Sequence, residues 1–297
     1  MKILITGANG LLGQKITALL LKEKACFAAT GKTSSESIIK MDISSPAETC
    51  EVIGKERPDV IIHAAALTQV DDCEIRRELC FAANVKGVEN IVSAAEKANA
   101  HLIHLSTDFV FDGKFGPLDE NAIPNPVNYY GKCKLEGEEI IRRAALSWSI
   151  LRTVLVYGAA PIMSRPNIVL WVKKSLEEKK AIKVVNDQWR TPTLAEDLAA
   201  GCLLAARKKA QGIYHISGKE MFTPFEIAVR TADFFNLDKS LLAETDSSQF
   251  AQPAKRPMKT GFIIAKAERE LGFKPHSFEE GLRLVAKQLD SFASKTS

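Results

Sequence analysis

The chain has 297 residues, of which 46% are hydrophobic and 26% charged, with a formal net charge of +4. That balance describes a soluble globular protein able to bury a large core, and it excludes a disordered chain. No Lys/Arg block is long enough for a nucleic-acid arm, and no apolar run is long enough to span a bilayer.

The six cysteines form no CxxC pair and lie near no histidine cluster, so neither a disulfide framework nor a metal site is expected. A reducing, cytoplasmic location fits. The first residues, Lys2–Thr6, run straight into a glycine turn and not through a signal peptide.

In chain order, the first half alternates short apolar runs with longer amphipathic ones. Strands are expected at Lys2–Thr6, Cys26–Ala29, Asp59–His63, His101–Ser106 and Ser149–Thr153. Helices are expected between them at Leu11–Leu21, Pro46–Lys55, Leu79–Ala98 and Tyr129–Ala145. Strands apolar throughout and separated by helices predict an α/β fold, a doubly wound parallel sheet of the Rossmann type. Beyond Tyr157 the rhythm changes. Gly158–Asn167 reads as a loop, followed by helix Ile168–Glu177, strand Ile182–Val185, helix Leu194–Arg207 and strand Ile213–Ile216. Helices near Pro224–Phe235, Ile264–Leu271 and Phe278–Ser291 complete the tail. The expected organisation is a dinucleotide-binding domain over 1–157 and a smaller mixed α/β substrate-binding region over 158–297. The stretch 182–207 is placed to return to the first domain.

The opening segment Thr6-Gly7-Ala8-Asn9-Gly10-Leu11-Leu12-Gly13 follows a strand and opens a helix. Gly7, Gly10 and Gly13 permit the tight turn and the approach of a pyrophosphate, while Asn9, Leu11 and Leu12 contribute backbone to the cradle. An acid after the second strand would select NAD. Here Lys32, Thr33 and Ser34 stand instead, suited to a 2′-phosphate, so NADP(H) is preferred, with NAD(H) the alternative. Asp42 and Ile43 are expected to flank the adenine. Ala64, Ala65 and Ala66 offer small side chains where a dinucleotide lies against backbone.

Tyr130 and Lys134 are four residues apart and share one helix face. An ammonium beside a phenol favours the phenolate, so the pair reads as a tuned proton donor for a sugar or alcohol oxygen. The fourth main strand ends in Ser106-Thr107-Asp108-Phe109, where ligands of open α/β sheets bind. Thr107, or failing that Ser106, supplies a hydroxyl to orient Tyr130.

Taken together, Thr6–Gly13, Asp42-Ile43, Ala64–Ala66, Ser106–Gly113 and Tyr130–Lys134 resemble an extended short-chain dehydrogenase/reductase. Ser-Thr-Asp-Phe-Val-Phe-Asp-Gly (106–113) and Tyr-Gly-Lys-Cys-Lys-Leu-Glu-Gly-Glu (130–138) narrow the resemblance to the dTDP-4-dehydrorhamnose reductase group. Leu151–Thr153, Val156–Gly158, Asn186–Thr193 and Lys255–Pro257 support it. The resemblance implies reduction of the C4 keto group of a nucleotide-activated 4-keto-6-deoxy sugar. Tyr130 would be the general acid, Lys134 the holder of the nicotinamide ribose, and Thr107 the third member. Ser106, Asp108 and Phe109 would meet the sugar. Lys255, Arg256 and Arg190 would meet the diphosphate, and Trp189 would stack on a base or sugar. A homodimer is also implied. This chain departs from the group at Phe109, which lacks a tyrosine hydroxyl, and at His63, commonly asparagine. It departs again at Lys15, where some relatives place a metal-linked glutamate, and at Trp189-Arg190. Two alternatives stay open: a nucleotide-sugar epimerase or dehydratase, and a non-catalytic NADP-binding regulatory subunit similar to the methionine adenosyltransferase beta subunit.

Overall fold

The computed structural model describes residues 1–250 and 252–294. Its first half alternates strand and helix: β1 (Ile3–Thr6), α1 (Leu11–Lys22), β2 (Phe27–Gly31), β3 (Ile39–Lys40), α2 (Pro46–Glu56) and β4 (Val60–His63). Then come α3 (Val70–Ile75), α4 (Arg77–Phe81), a π-helical turn at Ala82–Lys86, α5 (Gly87–Ala98), β5 (His101–Thr107), α6 (Tyr129–Arg143) and β6 (Trp148–Thr153). The second half holds β7 (Val156–Tyr157), α7 (Ile168–Glu177), β8 (Ile182–Val185), β9 (Thr193–Leu194), α8 (Ala195–Lys208) and β10 (Gly212–His215). It ends with α9 (Pro224–Phe234), β11 (Leu242–Thr245), α10 (Ala265–Leu271) and α11 (Phe278–Ala293).

Seven strands form one parallel sheet in the order β10-β6-β5-β4-β1-β2-β3. The strands are apolar on both faces because helices cover both. One core layer packs Ile3, Ile5 and Ile62 under α1 and α8. The other packs Leu4, Ile61 and Leu102 under α2, α5 and α6. Strand order reverses between β1 and β4, which opens a crevice at their carboxyl ends.

Local chemistry sets the helix starts. Pro46 follows the Ser45 cap, whose Oγ accepts from Glu48 N, and Asn128 Oδ1 accepts from Gly131 N at 2.8 Å. Thr223 with Glu226, and Ser277 with Glu280, form capping boxes at α9 and α11. By contrast, α1 starts at Gly10 with no side-chain cap, so the amides of its first turn stay free toward the crevice.

The helix expected over Leu79–Ala98 runs continuously through α4 and α5 but contains the π-turn, which carries Asn84 inward. Leu67 N donates to Asn84 Oδ1 at 2.9 Å and Asn84 Nδ2 donates to Leu67 O at 2.8 Å, so one side-chain amide satisfies a loop backbone beside the crevice. The stretch after Tyr157 meets the first half in two places. α8 packs on α1 and β10 joins β6 at the sheet edge, while β7–β9 and β8–β11 form two small parallel pairs.

A third core cluster holds Tyr157, Val169, Phe222 and Phe278, and brings α11 against β7. A Cβ on Gly281 would lie 2.0 Å from Tyr157 Oη. Gly→Ala inside a helix ordinarily stabilises by about 0.5–1 kcal/mol, but this site has no room. Gly281→Ala is expected to destabilise by about 1–3 kcal/mol in urea unfolding.

Candidate active site

One cleft of about 850 Å³ runs from the glycine turn past Ala64 and Ala66 to Tyr130 and Lys134, and out to Arg165 and Arg256. At its inner end the backbones are packed too closely for side chains. A Cβ on Gly7 would lie 2.8 Å from Ala65 N, and one on Gly13 would lie 2.3 Å from Gly7 O. Gly7 also has φ +72°, a conformation that glycine adopts freely. The Ala65 amide is occupied, donating to Thr6 Oγ1 at 3.1 Å. The free amides at the start of α1 and this bare cradle fit a dinucleotide pyrophosphate.

The end of β2 is tied to the glycine turn. Asn9 Nδ2 donates to Thr33 Oγ1 at 2.8 Å, and a Cβ on Gly31 would lie 2.0 Å from Asn9 Oδ1. Asn9 thus fills the space in which an acidic side chain at position 31 would begin. Lys32 is exposed and pairs with Asp42 Oδ2 at 3.1 Å, while Ser34 lies exposed beyond it. Asp42 Oδ1 also accepts from Ser44 N and Oγ. These bonds lower the Asp42 carboxyl against the opposing effect of its partial burial. Ile43 is turned into the core against Gly87 and Val88, so the structure does not offer its face to an adenine.

Tyr130, the second residue of α6, has only 7% of its surface exposed. Its ring meets Phe109 edge-on at 5.9 Å and packs with Cys73, Cys80 and Cys133. Burial pushes its phenol well above the ordinary value, and the nearby Thr107 hydroxyl only partly opposes this. This corrects the expectation that Lys134 lowers Tyr130. The Lys134 ammonium is drawn away, donating to the Leu105 carbonyl at 2.6 Å and to His104 Nε2 at 3.1 Å. Burial lowers Lys134 to about 8, with the Glu138 carboxylate opposing. Thr107 Oγ1 accepts from Phe109 N and donates to Asp108 Oδ1.

Ser106 lines the cleft, but its hydroxyl proton is committed to Glu138 Oε1 at 2.5 Å. Glu138 also receives Arg152 Nε at 2.9 Å and Nη2 at 2.6 Å, and both charged residues are 2% exposed or less. Arg152 also stacks over Phe111. This buried trio bolts α6 to the ends of β5 and β6. Its sequence signal is Glu138, one helical turn beyond Lys134.

Of the expected substrate cations, Arg190 is placed elsewhere. It is 4% exposed and donates to the carbonyls of Trp189, Pro257 and Met258 and to Gln188 Oε1, with Nε 3.6 Å from Asp108. Asp108 is equally buried and accepts from Thr260 Oγ1 at 2.5 Å. Both therefore brace the 257–260 segment, and Asp108 also lines the cleft. Trp189 and Lys255 lie outside the cleft wall. Trp189 is 39% exposed beside Lys259, and Lys255 gives its carbonyl to Asn128 Nδ2. Arg256 does border the cleft, clamped by Asp71 through two bonds of 2.6 Å, which depress that carboxyl. Arg165, which composition did not single out, reaches the same rim and donates to Thr68 Oγ1 at 3.0 Å. Lys15 pairs with Glu196 at 2.7 Å and Gln288 at 3.0 Å.

A doubly wound sheet, a bare glycine turn and a buried Tyr–Lys pair at the end of β5 define an extended short-chain dehydrogenase/reductase. The chain belongs to the RmlD substrate binding domain family, whose model matches residues 1–291. It is 34% identical over 275 residues to methionine adenosyltransferase 2 subunit beta of Xenopus laevis, covering 90% of this chain and 82% of that protein. It is 30% identical over 296 residues to dTDP-4-dehydrorhamnose reductase of Aggregatibacter actinomycetemcomitans, covering 96% and 98%. Among solved structures, dTDP-4-dehydrorhamnose reductase from Bacillus anthracis in complex with NADP superposes with TM-score 0.87 at 29% identity, covering 97% of this chain and 99% of that one.

Removing one partner of a buried ion pair costs about 3–5 kcal/mol, whereas replacing both by apolar residues is often neutral. Glu138→Leu is expected to lose stability on that scale in urea unfolding. Glu138→Leu combined with Arg152→Met is expected to recover most of the loss.

Proposed function

We propose that the protein reduces the C4 keto group of a nucleotide-activated 4-keto-6-deoxy sugar with NADP(H). The observation that carries this reading is the continuous cleft. It joins a pyrophosphate cradle to a buried phenol and ends at a cationic rim of Arg165 and Arg256. Gly7, Asn9, Gly10, Leu11, Leu12, Gly13, Ala64 and Ala66 would hold the dinucleotide, with Thr33 and Lys32 at its 2′-phosphate. NADP supplies hydride when bound.

The raised phenol of Tyr130 keeps its proton through neutral pH, as a general acid must if the sugar oxygen gains negative charge. Thr107 lies beside that phenol, and its hydroxyl would turn from Asp108 to donate to the same oxygen. Lys134 supplies a positive charge below the reacting atoms while it remains protonated. Arg256, held by Asp71, and Arg165 line the rim and would meet the diphosphate. NAD(H) is the weaker cofactor because no acid stands at the end of β2, and the same absence disfavours an epimerase that retains NAD. A homodimer and a cytoplasmic location accompany this reading; no helix among the described residues is long and apolar enough to cross a membrane.

A second reading rests on the similarity to methionine adenosyltransferase 2 subunit beta. In it the chain binds NADP as a regulatory subunit, and its turnover is incidental. Copurification with a methionine adenosyltransferase, together with no NADPH oxidation on any 4-keto sugar, would favour it.

On the reductase reading, purified protein oxidises NADPH when given a dTDP-4-keto-6-deoxy sugar. Tyr130→Phe is expected to lower kcat at least about a hundredfold, the lower range for a general acid, while the NADPH Kd stays near wild type. Substantial turnover in the variant removes Tyr130 from the chemistry. Lys134 carries its charge below a pKa of about 8, so activity should be full at lower pH and fall as pH rises through that value. A flat profile across this range contradicts the role of Lys134.

A further inference from the structure

Lys134 is 2% exposed, and its ammonium has three protons to place. One goes to the Leu105 carbonyl at 2.6 Å. A second faces His104 Nε2 at 3.1 Å. An ammonium cannot accept, so Nε2 must be the acceptor and the ring must be neutral, with its proton on Nδ1. That Nδ1 is buried and has no hydrogen-bond partner among the described residues.

His63 stands beside it in register on β4, with ring centroids 5.2 Å apart. Its Nδ1 lies 2.8 Å from Thr6 Oγ1, and its Nε2 is likewise buried without a partner. A leucine at position 104 would suit this apolar strand better than a half-satisfied imidazole. Such a departure in a native core requires a reason.

We propose that His104 is a positioning residue for Lys134. Its Nε2 lone pair and the Leu105 carbonyl fix two ammonium protons and leave the third for a ligand in the cleft. His63 packs against the ring and keeps a second charge out. The titratable groups facing Lys134 are Tyr130 and Glu138 from its own helix, His104 from β5, His63 from β4, and Cys73 and Cys80 from α3 and α4. Burial and the Lys134 charge hold both histidines neutral, His63 at about 3 and His104 well below its ordinary value. The acceptor therefore persists throughout the working pH range.

This inference rests on Lys134 serving a ligand in the cleft, and its test separates the two ideas. Long-range proton–nitrogen NMR of the wild-type protein reads the His104 tautomer without any turnover. The ring should stay neutral with its proton on Nδ1 from about pH 5.5 to pH 7.5, a span in which an ordinary histidine titrates and Lys134 is still charged. A proton on Nε2, or a cationic ring, overturns the proposal. In His104→Leu the charged lysine loses an acceptor, so the basic limb of NADPH affinity, and of kcat/KM where turnover is measured, should move down by about one pH unit. The NADPH Kd at neutral pH should weaken about tenfold, one hydrogen bond to a charged group. His104→Gln, whose amide oxygen can accept at that reach, should restore both. A wild-type limb and Kd in His104→Leu, or a glutamine variant no better than leucine, refutes the role. If His104→Leu does not fold, the tautomer measurement and the glutamine variant decide.

Discussion

The arrangement depends on a charge pair that water does not reach. Arg152 from β6 and Glu138 from α6 form a bidentate bridge, and Ser106 from the end of β5 adds a third bond to the same carboxylate. Apolar side chains would hold the helix against the sheet as firmly. Directional bonds also fix its rotation about its own axis, and rotation decides where Tyr130, Lys134 and Glu138 point, since successive turns share one face. The helix start is fixed independently by Asn128, which caps Gly131 and grips the Lys255 carbonyl. α6 is thus pinned at both ends of its working face.

Burial then sets the chemistry of that face in two directions. Taking the phenol out of water disfavours phenolate, so Tyr130 holds its proton; taking the ammonium out of water disfavours its charge, so Lys134 sits close to losing its own. Acid behaviour in reduction needs the first, and the second makes the lysine's acceptors matter. Around this centre, Arg190 and Asp108 spend their charges on structure. They hold the 257–260 segment in place, next to Arg256 at the rim, where Asp71 clamps it.

Much of the fold was legible because its signals are local. Gly7, Gly10 and Gly13 announce a strand–helix turn within eight residues, and apolar runs bounded by helices announce a parallel sheet. The Tyr130–Lys134 spacing was legible for the same reason. What lay between the two residues was not, because the partners of Lys134 come from β5, thirty residues earlier in the chain. Arg190 reads as a free cation in a string of polar residues; only the carbonyls of Pro257 and Met258 show that it is a brace. Asn84 escaped notice because a π-turn leaves no periodic mark. Arg165 escaped because a loop residue acquires meaning only from what it faces across the cleft.

The central claim is that this cleft delivers hydride to C4 of a nucleotide-linked keto sugar. It is tested most directly by incubating the protein with dTDP-4-keto-6-deoxy sugar and NADPH deuterated at the nicotinamide C4, then locating the label in the product by NMR and mass spectrometry. The account predicts one deuterium, bound to the sugar C4 carbon. Unlabelled sugar recovered unchanged, or label at any other carbon, would contradict it.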